Sequence, residues 1–252
     1  MSLSKIKQDW EALGELDPCW AVLTSLPKGQ SGEPDFDAFF CTGEEEIAGV
    51  MQKSEQLGRP SKRGLVLDFG CGLGRLTRAL SAYFSRCCGV DISAPMVERA
   101  RELNQSATNC EFVLNMSGDL RQFPDDHFDM IYTARVLQHI PTRVAIKAYL
   151  GEFVRVLNPG GLLVFQLPSF IRVRNRIQPR RRLYAFLKAL GVGEKTLLTR
   201  LNLSPMHMTF IPKADVIDYL HTLGVDVLDV HPDSMCGPTI ESHTYYVTKP
   251  GR

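Results

Sequence analysis

Residues 66–77 read Val66-Leu67-Asp68-Phe69-Gly70-Cys71-Gly72-Leu73-Gly74-Arg75-Leu76-Thr77, an apolar strand that enters a glycine-rich turn and leaves it as a helix. Without a Cβ, each glycine lets the backbone approach a nucleotide-sized ligand closely. The spacing departs from the G-x-G-x-x-G of dinucleotide sites, which needs glycine at position 75; Arg75 stands there, and Gly74 comes one place early. Asp68, two residues before Gly70, adds a charge criterion. A carboxylate there repels a pyrophosphate and attracts a cation.

Other residues could take part in chemistry. Asp91, in Gly89-Val90-Asp91-Ile92-Ser93, closes the second apolar run 23 positions after Asp68. Each acid alone reads as a turn former or helix cap, and only their joint spacing suggests a shared ligand. His139, in Ala134-Arg135-Val136-Leu137-Gln138-His139-Ile140-Pro141, follows the fourth apolar run, where the carboxyl edge of an α/β sheet faces its ligand crevice. Its imidazole suits proton transfer, and the competing reading is a hydrogen bond that holds the turn. His207 and Tyr132 are weaker candidates, and His231 and His243 weaker still. Arg172, Arg174, Arg176, Arg180, Arg181 and Arg182 could receive a phosphate or carboxylate, or could form a solvated helix face. Trp10, Trp20, Phe36, Phe39 and Phe40 read as a lid or, more simply, as the apolar sides of packed helices. Cys71 fits the turn by size, with no redox role.

The elements that must position these groups are legible as pattern. From Gly64 onward short apolar runs alternate with helical ones, as in a parallel sheet built from βαβ units. Strands are expected at Leu65–Phe69, Cys87–Val90, Glu111–Leu114, Phe128–Tyr132, Leu162–Gln166, Val225–Val230 and Thr244–Thr248. They make one doubly wound, seven-stranded, mostly parallel α/β sheet. Helices are expected over Leu73–Phe84, Pro95–Asn104, Arg143–Val156 and Lys213–Leu223, with Asn158-Pro159-Gly160 and Gly224 as stops. No helical period separates the last two strands, so the last is expected to be antiparallel. Residues 1–58 read as a helical cap, with helices around Ser4–Leu26 and Phe36–Leu57 and a linker marked by Pro27, Gly29, Gly32 and Pro34. Residues 59–167 form the expected ligand-binding core, 168–208 a helical insertion that serves as a substrate lid, and 209–252 the completion of the sheet.

With 252 residues, 44% hydrophobic and 23% charged, the chain can bury a core without disulfides or a structural metal. Seven cysteines in no C-x-x-C spacing suggest neither a disulfide framework nor a metal site. There is no apolar leader and no uncharged apolar run of the ~18 residues that cross a bilayer, so a cytoplasmic protein without membrane association is expected. A net charge of +1 gives no general affinity for nucleic acid.

Asp68-x-Gly70-x-Gly72-x-Gly74 resembles the first motif of the class I, Rossmann-like S-adenosylmethionine (SAM)-dependent methyltransferases. Asp91 stands where that family carries the carboxylate that accepts hydrogen bonds from both ribose hydroxyls. Gly118-Asp119-Leu120 is similar to the segment that frames the adenine, Pro124-Asp125-Asp126-His127-Phe128-Asp129-Met130-Ile131 to the entry of the fourth strand, and Leu157-Asn158-Pro159-Gly160-Gly161-Leu162-Leu163 to the turn into the fifth. The likeness covers about residues 60–167 and, more loosely, 209–249. The resemblance implies SAM as cofactor and S-adenosylhomocysteine as product. Asp68, Gly70, Cys71, Gly72, Gly74 and Arg75 would contact the cofactor from the turn, Asp91, Ile92 and Met96 from the end of the second strand and its helix. Asp119, Leu120, Ala134 and Val136 would contact it from the loops beyond.

The implied reaction moves a methyl group to an oxygen or nitrogen of a small molecule, anionic if the arginine run binds it, with His139 as the candidate base. Methylation of RNA or protein through the arginine run, and SAM binding without catalysis, are the alternatives. An NAD-dependent oxidoreductase is disfavoured by Asp68 and Arg75.

Overall fold

The computed structural model describes residues 7–11, 35–172, 176–193, 196–201, 203 and 205–251. Of the helix expected around Ser4–Leu26 only residues 7–11 are described, and they are helical; its remainder, the linker to Pro34, Trp20 and Arg174 lie outside the described residues.

Helix α1 (Phe36–Gln56) starts at Asp35, whose side chain accepts the otherwise orphan N–H of Ala38 at 2.9 Å. Its buried positions Phe39, Phe40, Gly43, Ile47, Val50, Met51 and Ser54 recur at steps that keep one face inward. The elements that follow are β1 (Leu65–Phe69), α2 (Arg75–Leu80), β2 (Arg86–Asp91), α3 (Ala94–Leu103), β3 (Cys110–Leu114), β4 (Phe128–Thr133), α4 (Arg143–Val156), β5 (Leu157–Ile171), α5 (Pro179–Ala189), α6 (Lys213–Thr222), β6 (Asp226–Asp233) and β7 (Ile240–Thr248). The strands form one sheet in the order β3-β2-β1-β4-β5-β7-β6. All pairs are parallel except those of β7, which runs antiparallel to both β5 and β6.

Strand β1 shows why the sheet sits between two helical layers. Leu65, Leu67 and Phe69 pack with Ile146, Leu150 and Phe153 of α4 on one face, while Val66 packs with Ile47 and Met51 of α1 and Leu80 of α2 on the other. That is the two-residue period of a strand covered on both sides, and all five positions are buried. Each large apolar side chain withdrawn from water contributes about 1.5–3 kcal/mol. Strand order reverses between β1 and its neighbours β2 and β4, which opens a crevice at the carboxyl ends of these strands.

Several boundaries differ from the expected ones, most of all at α2, at β5, which already starts at Leu157, and at β7, which starts at Ile240. Helix α2 begins at Arg75 rather than Leu73 because Gly74 is in the left-handed region, φ 81°, and still belongs to the turn; it ends at Leu80 rather than Phe84. Strand β5 runs on to Ile171, so the segment read as a helical insertion from residue 168 starts as a ribbon paired with Ile240–Ser242 of β7. A register shift between Pro168 and Phe170 accommodates the proline within the strand. Among the described residues that follow, the insertion holds α5 and one π-helical turn over Thr196–Arg200. Among the described residues no helix is long and apolar enough to cross a membrane.

Candidate functional site

The glycine turn is folded back over the end of β2. The N–H groups of Gly70 and Cys71 both donate to the carbonyl of Val90, at 2.7 and 3.0 Å. Gly70 has φ 80°, and a Cβ there would collide with the side chain of Val136. The turn brings the N–H of Gly72 to Asp91 Oδ2 at 2.9 Å, while Asp91 Oδ1 accepts the N–H of Ser93 at 2.9 Å. Burial raises the Asp91 carboxyl above its ordinary pKa, against the pull of these N–H groups. Each oxygen keeps a second lone-pair direction for a hydroxyl donor.

A cavity of about 240 Å³ opens at this point, at the carboxyl ends of the strands. Of the residues expected to surround a cofactor, it brings together Gly70, Cys71, Gly72 and Arg75 from the turn, Asp91 and Ile92 from β2, Met96 from α3, and Ala134, Val136 and His139 from beyond β4. Four others lie outside its lining. Asp68 is buried beneath the turn and accepts the Thr77 hydroxyl at 2.6 Å. Burial pushes its pKa up to about 7, opposed by Thr77 and Arg75. Gly74 faces Phe112 and Asn104. Leu120 sits in the core with its N–H held by Glu152 at 2.8 Å, and Asp119 pairs with Arg121 at 3.0 Å.

Gly118, from the segment read as framing the adenine, lines one wall; sequence reading missed Asn115 and Tyr149 beside it and Arg135, Ile140, Pro141 and Thr142 on another. Trp10 also lines the cavity, so of the described members of the aromatic set it is the one at the ligand space. Phe39 and Phe40 are buried among Leu73, Met96, Leu197 and Leu198, with Phe36 against them.

The most consequential omission is Glu46. A Cβ on Gly43 would meet the Arg75 carbonyl at 2.6 Å, so glycine lets α1 lie directly on the turn. Glu46, one turn on, then reaches Arg75 at 2.9 Å and Arg135 at 3.0 Å, and accepts the Tyr132 hydroxyl at 2.8 Å. Burial alone would raise the Glu46 pKa, but Arg135 and Arg75 outweigh it and hold the carboxylate below its ordinary value. Arg75 also donates to Thr42 at 3.2 Å, while its buried Nε has no partner among the described residues. Two guanidinium groups and one carboxylate leave this corner of the cavity cationic. An acid inside the apolar stripe of α1, seven residues after Phe39 and four before Val50, was the signal for a buried cation.

His139 ends a 3-10 turn over Leu137–His139. Its Nδ1 lies 2.8 Å from the carbonyl of His207, an acceptor only, so Nδ1 carries the proton and Nε2 the lone pair. Gln138 makes a longer contact to Nε2, at 3.3 Å. Trp10 meets the imidazole edge-on, with ring centroids 5.3 Å apart. Burial lowers the His139 pKa to about 4, with the His207 carbonyl opposing, so the ring is neutral at physiological pH. His207 contributes only its carbonyl to this contact, Tyr132 is turned to Glu46, and His231 and His243 lie on β6 and β7 with Asp229 and Ser169. None of the described arginines of the insertion lines the cavity. Among the described residues, no cluster of three His, Cys, Asp or Glu could hold a metal.

Residues 67–165 match the family described as methyltransferase domain. That match takes in less than half of the chain, and over it the chain is similar to methyltransferases. The chain is 29% identical over 164 residues to the 2-methyl-6-phytyl-1,4-hydroquinone methyltransferase of Synechocystis sp. (strain PCC 6803), covering 65% of this chain and 50% of that protein. It is 36% identical over 119 residues to the demethylmenaquinone methyltransferase of Tropheryma whipplei (strain Twist), 47% of each chain. The chain spans about half the length of these relatives. Its fold is that of the magnesium protoporphyrin IX methyltransferase from Synechocystis PCC 6803, solved with bound S-adenosylhomocysteine: TM-score 0.63, 18% identity, 98% of this chain and 99% of that one.

Proposed function

We propose that the protein transfers a methyl group from SAM to an oxygen or nitrogen of a small, largely apolar molecule. The observation that carries the proposal is Asp91, fixed by two backbone N–H groups at the end of β2 with both oxygens still able to accept from a cis-diol. The cavity fits SAM on a second count. The unpartnered Nε of Arg75 and the cationic corner it shares with Arg135 suit the carboxylate end of an amino acid. Asn115, Gly118 and Tyr149 form the wall assigned to the adenine, and the loop ahead of them is pinned through Asp119 and Leu120.

When bound, SAM supplies an electrophilic methyl carbon activated by a sulfonium. The protein's share is alignment, exclusion of water and removal of one proton. His139 is assigned the last task. Its Nε2 lone pair is set by the His207 carbonyl, and an incoming O–H or N–H replaces the long Gln138 contact. Trp10, Val136, Ile140, Pro141, Ala145 and Tyr149 make the walls mostly apolar. The expectation of an anionic acceptor rested on the arginine run, whose described members lie outside the lining. An apolar acceptor also accords with relatives named for a phytyl hydroquinone and for demethylmenaquinone. In this reading residues 59–167 hold the cofactor, 209–252 complete the sheet, and the N-terminal helices with the 168–208 insertion close the acceptor side.

The test is transfer of label from methyl-labelled SAM to a panel of alkylated hydroquinones beside a panel of sugar acids. Label extracted with the hydroquinones supports the reading, and label confined to the sugar acids overturns the apolar acceptor.

A further inference from the structure

Helix α5 has two apolar faces. Tyr184 and Leu187 point inward, into the cluster with Leu73 and Met96, so this helix roofs the cavity wall that Met96 forms. Leu183, Phe186 and Leu190, at i, i+3 and i+7, face away from it and are 47%, 60% and 66% exposed. Arg182 borders that outer stripe directly, while Arg180 lies on its other side in line with Tyr184 and Leu187, and both arginines are exposed. The chain around them is one-signed: between Glu152 and Asp215 the only acid is Glu194. A solvated helix face carries acids beside its bases, and α5 itself holds no acid.

We propose that the outer face of α5 docks on an anionic lipid bilayer surface. Leu183, Phe186 and Leu190 enter the boundary between headgroups and acyl chains, and Arg180 and Arg182 pair with lipid phosphates on either side. Charge complementarity selects this occupant: a second copy of the chain would bring a like-charged face against this one, and a nucleic acid would leave the leucines and phenylalanine without a role. The inference revises the expectation of no membrane association. It goes beyond the methyl-transfer reading and stands without it, and it gives the roof of the cavity contact with the phase in which an apolar acceptor dissolves.

The experiment is co-sedimentation of the full chain with vesicles of phosphatidylcholine alone and of phosphatidylcholine with phosphatidylglycerol. Leu183→Asp/Phe186→Asp and Arg180→Gln/Arg182→Gln variants run beside it, each checked for an unchanged melting curve. Binding is expected only with the anionic vesicles and should weaken at high salt. The aspartate variant should lose it, and the glutamine variant should lose about fivefold in affinity per arginine. Equal sedimentation with both vesicle types, unchanged binding of the aspartate variant, or a dimer in solution that this variant converts to monomer would each overturn the proposal.

Discussion

Glu46 on α1 and Arg75 at the end of the glycine turn meet at 2.9 Å, with Arg75 2% exposed and Glu46 12% exposed. This contact ties the N-terminal helix to the cofactor turn, and Glu46 holds Arg135 as well. Glu46→Gln keeps the shape and removes the charge, leaving two guanidinium groups facing each other. Loss of one partner from a buried pair costs about 3 kcal/mol. Because the Glu46 pKa is lowered in the folded state, its contribution is full at neutral pH and fades as pH falls through that lowered value. Urea denaturation of both proteins at pH 7 and pH 4 should show the gap narrowing in acid; an equal gap contradicts the charge role.

Asp68 behaves in the opposite sense. Its folded pKa of about 7 lies above the ordinary 3.8, so the folded state binds the proton more tightly. Stability from this group is therefore full below about pH 4 and is lost as pH rises to 7, by roughly 4 kcal/mol at about 1.36 kcal/mol per pKa unit. Asp68→Asn still accepts the Thr77 hydroxyl and should be the more stable protein at pH 8, with no such slope between pH 5 and 8. Parallel slopes in urea denaturation would count against a carboxyl buried this way.

Two glycine substitutions should part company. Gly70→Ala places a methyl group into Val136 at a left-handed φ and should both destabilise the protein and abolish SAM binding. Gly49→Ala, on the exposed side of α1 with nothing within 4 Å, should raise stability by about 0.5–1 kcal/mol. Thermal melts read both.

Removal of the imidazole should act on turnover rather than on cofactor affinity. His139→Ala is expected to lower kcat by about 10²–10⁴-fold. With a pKa of about 4, the wild-type rate should stay level from pH 6 to 8 and fall only in acid. A kinetic pKa between 6 and 7 would remove His139 from the role of base.

The sheet was legible because β1, β2 and β4 are buried runs bounded by turn residues, and the order of turn, acid and glycine signals placed Asp91 at the cavity. What escaped was set by tertiary contact. Whether Asp68 faces the ligand or the helix depends on which side of β1 it occupies, and the two-residue period puts it with Val66, toward α1 and α2. Glu46 carries no motif of its own. It becomes a site residue only because Gly43 lets α1 close on Arg75. The fifth strand was expected to end at Gln166, yet a register shift after Pro168 carries β5 on to Ile171.

The central claim is that Asp91 and the glycine turn hold SAM. Calorimetric titration of the wild-type protein and of Asp91→Ala with SAM, S-adenosylhomocysteine and NADH tests it most directly. The account predicts micromolar binding of both adenosyl compounds, none of NADH, and a loss of about 10-fold or more in the variant, from charge-assisted hydrogen bonds of about 1.5–3 kcal/mol each. Binding of NADH alone, or equal SAM affinity in the two proteins, would contradict it.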